Sequence, residues 1–150
     1  MLAHVHTAAL RGVESFLVRV EVNLSSGLPA FTVVGLPHGA VRESRDRVTA
    51  ALRNSGFPLL NRRITVNLAP GDVRKEGTAF DLPIAVGLLA AGGHLDDSLL
   101  PECVFLGELG LDGSLRPIRG ALPIAAECAA AGISTLVVPS ANAGEASVVP

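Results

Sequence analysis

The stretch Lys75-Glu76-Gly77-Thr78-Ala79-Phe80-Asp81-Leu82-Pro83-Ile84-Ala85-Val86-Gly87-Leu88-Leu89-Ala90-Ala91 changes character part-way along. Its first four residues read as a loop. From about residue 79 to residue 91 it is apolar almost all round, the pattern of a helix that belongs in the interior. Two starts are open to that helix. Thr78 can cap it with Asp81 three residues on, or Asp81 can itself be the N-cap with Pro83 in the first turn; Pro83 favours the second.

Working outward, the upstream half reads as strands around one helix. Phe16 to Leu24 alternates apolar with polar, the period of a half-buried strand. Ser25-Ser26-Gly27-Leu28-Pro29 is a turn, and the β-branched run Phe31-Thr32-Val33-Val34-Gly35 a second strand, so the pair reads as a meander. Gly39 to Asn54 is helical, with Val41, Val48, Ala51, Leu52 and Ser55 on one side. Arg42 with Asp46 and Glu43 with Arg47 form i,i+4 pairs worth about 0.2–0.5 kcal/mol each. Gly56 closes this helix in the left-handed conformation. Arg63 to Leu68 is a third alternating strand, ended by Ala69-Pro70-Gly71-Asp72.

Downstream, Cys103 to Leu109 and Gly113 to Arg116 read as a hairpin turning at Leu111-Asp112-Gly113. Arg119 to Ala131 is a third helix stopped by Gly132, and Thr135 to Pro139 a last strand. Clusters of strands alternating with three helices predict one α/β domain, a sheet with helices over one or both faces. The chain stops at Val149-Pro150 with no closing element, as expected of a piece cut from a longer protein.

The chain's 150 residues are 49% hydrophobic and 17% charged, a composition that supports a packed core. The longest uncharged apolar run, Leu82 to Gly93, falls well short of the roughly 20 residues that span a bilayer. The opening MLAHVHTAALRG lacks the basic region and apolar run of a secretion signal. Two cysteines, Cys103 and Cys128, are too few for a disulfide framework or a four-ligand zinc site. These features predict a cytoplasmic protein with no membrane partner.

The net charge of −2 hides a segregation. Residues 42–75 hold eight basic side chains against three acidic ones, and residues 76–150 hold two against nine. Arg42, Arg45 and Arg53 fall within about 80° of one another on a helix. With Arg62, Arg63, Arg74 and Lys75 they make the candidate nucleic-acid-binding set. Guanidinium forks match phosphate oxygens, and neutralising phosphates releases counterions, so such a set confers affinity without sequence preference. A solvated face partly neutralised by Glu43 and Asp46 is the plainer alternative. With five Phe and no Trp or Tyr, base stacking is not the expected mode.

Other chemistry is sparse. His4 and His6 alternate onto one strand face, but no third ligand lies near them in sequence, so they read as surface histidines and no metal is expected. His38, at a helix start, and His94, in a loop, read as polar caps. A phosphate-cradling P-loop requires Gly-x-x-x-x-Gly-Lys-Ser/Thr, whereas the sole lysine, Lys75, lies between Arg74 and Glu76. No cofactor is expected in this chain.

Gly35-Leu36-Pro37, Val41-Arg42-Glu43-Ser44-Arg45-Asp46-Arg47-Val48, Asn67-Leu68-Ala69-Pro70 and Lys75 to Ala85 stand out, as do Gly107-Glu108-Leu109 and Leu111 to Gly120. Together they resemble the N-terminal domain of the ComM/YifB family of magnesium-chelatase-related AAA+ proteins, over essentially all 150 residues. The resemblance implies an α/β (α+β) fold of the ribosomal protein S5 domain 2 type, similar to the proteolytic domain of Lon and the C-terminal domain of RadA. It implies a following AAA+ module, absent from this chain, which carries the P-loop and binds ATP and Mg2+. It also implies a hexameric ring acting as a DNA motor in branch migration during natural transformation. The partners expected are the chain's own AAA+ module, further copies in the ring, and DNA.

The likeness to Lon proteases can be checked residue by residue. Their nucleophilic serine falls at Ala79 and their lysine base at Leu122. A serine hydroxyl needs a desolvated amine to take its proton, and neither alkyl side chain can serve. Thr78 is adjacent and Lys75 three residues away, but there is no second lysine. The expectation is a non-catalytic domain that assists ring assembly and contacts DNA. A protein-docking module without nucleic-acid contact is the first alternative, and a residual peptidase a disfavoured second.

Overall fold

In the computed structural model, which describes residues 1–57, 62–75 and 77–149, the longest strands come first; Glu76 of the loop and the terminal Pro150 lie outside the described residues. β1 (Leu2–Arg11) and β2 (Glu14–Ser25) form an antiparallel hairpin in which Val5 faces Val20 and Ala3 faces Val22. β4 (Arg63–Ala69) pairs antiparallel with β2, and β3 (Ala30–Val34) lies parallel to β4 on the outside. On the other flank β5 (Cys103–Phe105) runs parallel to β1, and β8 (Thr135–Val137) parallel to β5. The sheet order is β3-β4-β2-β1-β5-β8. A separate ribbon joins β6 (Glu108–Leu109) to β7 (Leu115–Arg116). With α1 (Ala40–Asn54), α2 (Asp81–Ala91), α3 (Ala121–Ala130) and α4 (Ser140–Ala146), the architecture is mixed α/β.

Several sequence expectations change in three dimensions. β2 and β3 are not neighbours in a meander, because β4 enters between them. The helical crossover through α1 makes β3 and β4 parallel, as a helix between two strands of one sheet allows and a short turn does not. The arm predicted from Cys103 to Leu109 divides. β5 joins the large sheet, the Leu106 N–H donates to the Val137 carbonyl at 2.9 Å, and the Gly107 N–H to the Ala79 carbonyl at 3.1 Å. Only the end of the arm turns back through Gly113, whose φ is +89°. α2 starts at Asp81 behind Phe80 with no side-chain cap, so neither predicted capping arrangement forms. α4 was not expected; its Asn142 exchanges two 2.9 Å hydrogen bonds with the backbone of Ile118.

The two sheet faces have separate cores. Val5, Val20, Val22, Ile64, Val66 and Leu68 pack beneath α1 and α2. A Cβ at Gly87 would come within 2.5 Å of the Val22 side chain, so this glycine lets α2 settle onto the sheet. On the opposite face Ala8, Val104, Leu106 and Ile118 meet Ile124 and Cys128 of α3. That second cover is partial. His4, Glu21 and Asn67 lie in one row across β1, β2 and β4 and remain half-exposed, with the Asn67 amide donating to Glu21 at 2.8 Å.

One polar group sits at the junction of these pieces. The Asp81 carboxylate is fully buried and accepts four bonds from the Ser44 hydroxyl (2.5 Å), Arg47 Nε (2.7 Å) and Nη2 (3.1 Å), and the Leu109 N–H (3.0 Å). Arg47 also donates to the Ala40 carbonyl at 2.6 Å and keeps Glu43 at 3.6 Å. The hydrogen bond to Asp81 raises the Arg47 pKa above its ordinary value. Removing one partner of a buried ion pair strands the other charge. Arg47→Met is therefore expected to cost about 3–5 kcal/mol in urea unfolding. Glu43→Gln, at the solvated end of the same arginine, is expected to cost under about 1 kcal/mol.

Candidate functional site

The apolar stripe of α1 buries Val41, Val48, Ala51 and Leu52, which turns Arg42 and Arg45 outward. Both are exposed and, with Phe31, Thr32 and Val33 of the edge strand β3, line a cavity of about 320 Å3. Arg42 Nε donates to the Pro37 carbonyl at 3.2 Å, and Arg45 Nε lies 3.8 Å from Asp46. Arg53 occupies the last turn of α1, where a cation suits the carbonyl end of the helix. Arg62 and Arg63 are exposed at the entry to β4, Arg63 in register with Ser25 and Ala30. Arg74 is exposed beyond the far end of that strand, its Nη2 at 2.7 and 2.6 Å from the ring nitrogens of His38. The six arginines thus lie on α1, at the entry to β4 and beyond its far end, and Arg42 and Arg45 share a cavity with the edge strand β3.

Lys75 does not belong with them. It is fully buried, and its ammonium donates to the Pro70 carbonyl. Its backbone is clamped as well. The Lys75 N–H donates to Leu36 and its carbonyl accepts from the His38 N–H, each at 3.0 Å. Gly35 makes this clamp possible, since at φ +103° a Cβ there would stand 2.2 Å from the Leu68 carbonyl oxygen. Leu36 follows at φ +56°, a left-handed conformation that costs a non-glycine residue energy. Burial pushes the Lys75 pKa below its ordinary value, with Asp72 opposing. No periodicity in the sequence signals this; the glycine and prolines on either side were the only hint.

A second, larger cavity of about 590 Å3 lies between Ala8 to Leu10 of β1, Gly77 to Phe80, and Pro117 to Arg119. Ala79 and Thr78 line it, with Glu108 and Arg119 as its charged members. Leu122 stands on α3 at 41% exposure, its N–H donating to the Glu145 carboxylate at 3.1 Å. The two positions that the Lon likeness assigns to a hydroxyl and an amine hold alkyl groups. The chain's single amine side chain is engaged at Pro70.

The histidines take other roles. His4 accepts from Arg19 Nε at 3.1 Å and lies 3.6 Å from Glu21. Burial, then the charges of Arg19 and His4, lower the His6 pKa. His38 pairs with Arg74, and His94 meets Phe57 edge-on at 5.5 Å, so these rings contact side chains in place of the predicted capping. Among the described residues no cluster of three His, Cys, Asp or Glu could hold a metal ion, and no helix is long and apolar enough to cross a membrane.

A mixed six-strand sheet with helices packed on it, exposed arginines beside its β3 edge and a cleft lined by Thr78, Glu108 and Arg119 defines a mixed α/β domain. Residues 20–142 match the family described as subunit ChlI of Mg-chelatase, and the chain belongs to that family. It is 49% identical over 148 residues to competence protein ComM of Haemophilus influenzae, and 47% identical over 148 residues to protein YifB of Salmonella typhimurium. Each alignment covers 99% of this chain and 29% of the relative, so the chain spans less than a third of those proteins. DNA repair protein RadA of Bacillus subtilis is more distant, at 28% identity over 140 residues, 91% of this chain and 29% of that protein.

The Lys75 environment gives a pH signature. A lysine whose folded-state pKa lies below its unfolded value of 10.5 leaves the folded chain holding fewer protons than the unfolded one between those two values. Stability therefore rises with pH across that window. In paired urea titrations, the native chain is expected to gain stability relative to Lys75→Met as pH is raised toward 10.5. A constant difference would show that the ammonium carries no burial penalty.

Proposed function

We propose that this chain is the non-catalytic N-terminal module of a ComM-like AAA+ ATPase, with the S5 domain 2 type of fold, and that it assists ring assembly and holds DNA. The longer, cytoplasmic protein binds ATP and Mg2+ in its AAA+ module and assembles as a hexamer. The six exposed arginines along β3-α1-β4 carry the reading. A competence protein and a DNA repair protein among the relatives support it. The contact is to the phosphate backbone, because guanidinium forks suit phosphate oxygens and the border offers no Trp or Tyr for stacking. Single copies bind weakly. Ring copies act together through effective concentration.

Titration of labelled duplex and single-stranded DNA tests this, using both this chain and the longer ATPase-bearing protein. With about four phosphates engaged, log K is expected to fall against log salt with a slope near −3.6. Arg62→Ala combined with Arg63→Ala is expected to weaken binding equally across unrelated sequences. Unchanged binding in both proteins removes the border from consideration and leaves a protein-docking module.

A further inference from the structure

The acidic half of the sequence also has an address. Between Glu76 and Leu115, and again from Gly120 to Pro150, there is no lysine or arginine. The loop entering β5 together with β5, α3, β8 and α4 therefore carries Asp96, Asp97, Glu102, Glu127 and Glu145 unopposed. All of these but Glu127 are exposed. β5 and β8 stand at the opposite end of the sheet from β3, while the loop that carries Asp96 and Asp97 comes against the C-terminal end of α1, where His94 meets Phe57 at 5.5 Å; Arg42 and Arg45 lie in the N-terminal half of that helix. Five inter-strand steps separate the β3 and β8 edges by about 24 Å. That is roughly three Debye lengths at physiological salt, so charges on the β3 and β8 edges do not neutralise each other within one molecule.

Apolar side chains accompany the charge on both sides. Val34 and Leu36 are 41% and 51% exposed beside the β3 edge, and Leu95 and Leu99 are 40% and 66% exposed in the acidic loop. An acidic border repels nucleic acid, and its occupant must bring positive charge. The chain's own β3-α1 border has that sign and comparable apolar content. We propose that copies of this chain dock head to tail, the β3-α1 border of one (Arg42, Arg45, Val34, Leu36) against the acidic border of the next (Asp96, Asp97, Glu102, Leu99). Such a contact uses different surfaces of the two copies, so it propagates, and it closes into a ring when the rotation between copies permits. The inference rests on the assembly part of the proposed function and gives it a surface. Arg62 and Arg63, at the entry to β4, stay free for DNA.

Sedimentation velocity over a concentration series tests it. The native chain is expected to show a faster species that grows with concentration and disappears at high salt. Arg42→Glu with Arg45→Glu makes both docking patches acidic, and Asp96→Arg with Asp97→Arg leaves the Asp96-Asp97-Glu102 patch with two bases against Glu102, so that both patches are basic; each variant alone is expected to lose the faster species. An equimolar mixture of the two is expected to restore it, which also shows that both variants are folded. A native chain that remains monomeric at every concentration overturns the proposal, as does either variant associating alone like the native chain. If the longer ATPase-bearing protein assembles while this chain stays monomeric, the border contact is wrong and the assembly reading stands. A longer protein that is monomeric with ATP and Mg2+ refutes that reading itself.

Discussion

The Asp81 carboxylate is the constraint on which the arrangement of helices depends. Stripping water from an ion costs several kcal/mol, and this one has no exposed surface. The cost is offset because the group lies in the first turn of α2, where helix N–H dipoles favour negative charge, and because four donors converge on it. Those donors come from α1 and β6, so one side chain fixes three elements relative to one another. The geometry of α1 follows. At 100° per residue, Arg42 and Arg45 lie about 140° and 160° from Arg47 around the helix. Drawing Arg47 inward to Asp81 therefore drives the other two arginines outward, onto the β3 border.

What the sequence could reveal divides along the same line. Periodicity records which face of an element is buried, so the strands through Val18 and Val66, and the apolar stripe of α1, were readable one segment at a time. It does not record partners. Arg47 had a plausible local mate in Glu43, four residues away, and the stronger one is 34 residues away. A single carboxylate inside an otherwise apolar helix was a usable sign that some cation must reach it. The order β3-β4-β2 was not readable, because a parallel neighbour brought in by a crossover helix leaves no mark on either strand.

The candidate site was legible to the same extent. Helical spacing alone places Arg42 and Arg45 together in solvent, and they share a cavity. Lys75 was grouped with them on charge, the property that burial in the Gly35 to His38 clamp overrides. The alkyl groups at Ala79 and Leu122 are matters of residue type and needed no structure. That Thr78 faces the larger cavity while the ammonium lies against Pro70 could come only from the fold.

Segregated charge in a sequence does not by itself give segregated charge in space, because most folds interleave distant segments. Here the topology preserves it. Residues 30–69 supply β3, α1 and β4, and residues 103–146 supply β5 and β8, so the two edges of the large sheet come from different halves, while the β6-β7 ribbon reaches back to α1 through the Asn54 amide, which donates to the Leu111 carbonyl. Between the two edges stands the β1-β2 hairpin, whose Arg11 and Arg19 are balanced by Glu14 and Glu21. A neutral pair of strands thus holds the β3 and β8 edges farther apart than salt lets their charges interact. The hairpin provides the packed centre of the sheet. An insertion of charged residues into β1 or β2 would erode that separation without touching either border.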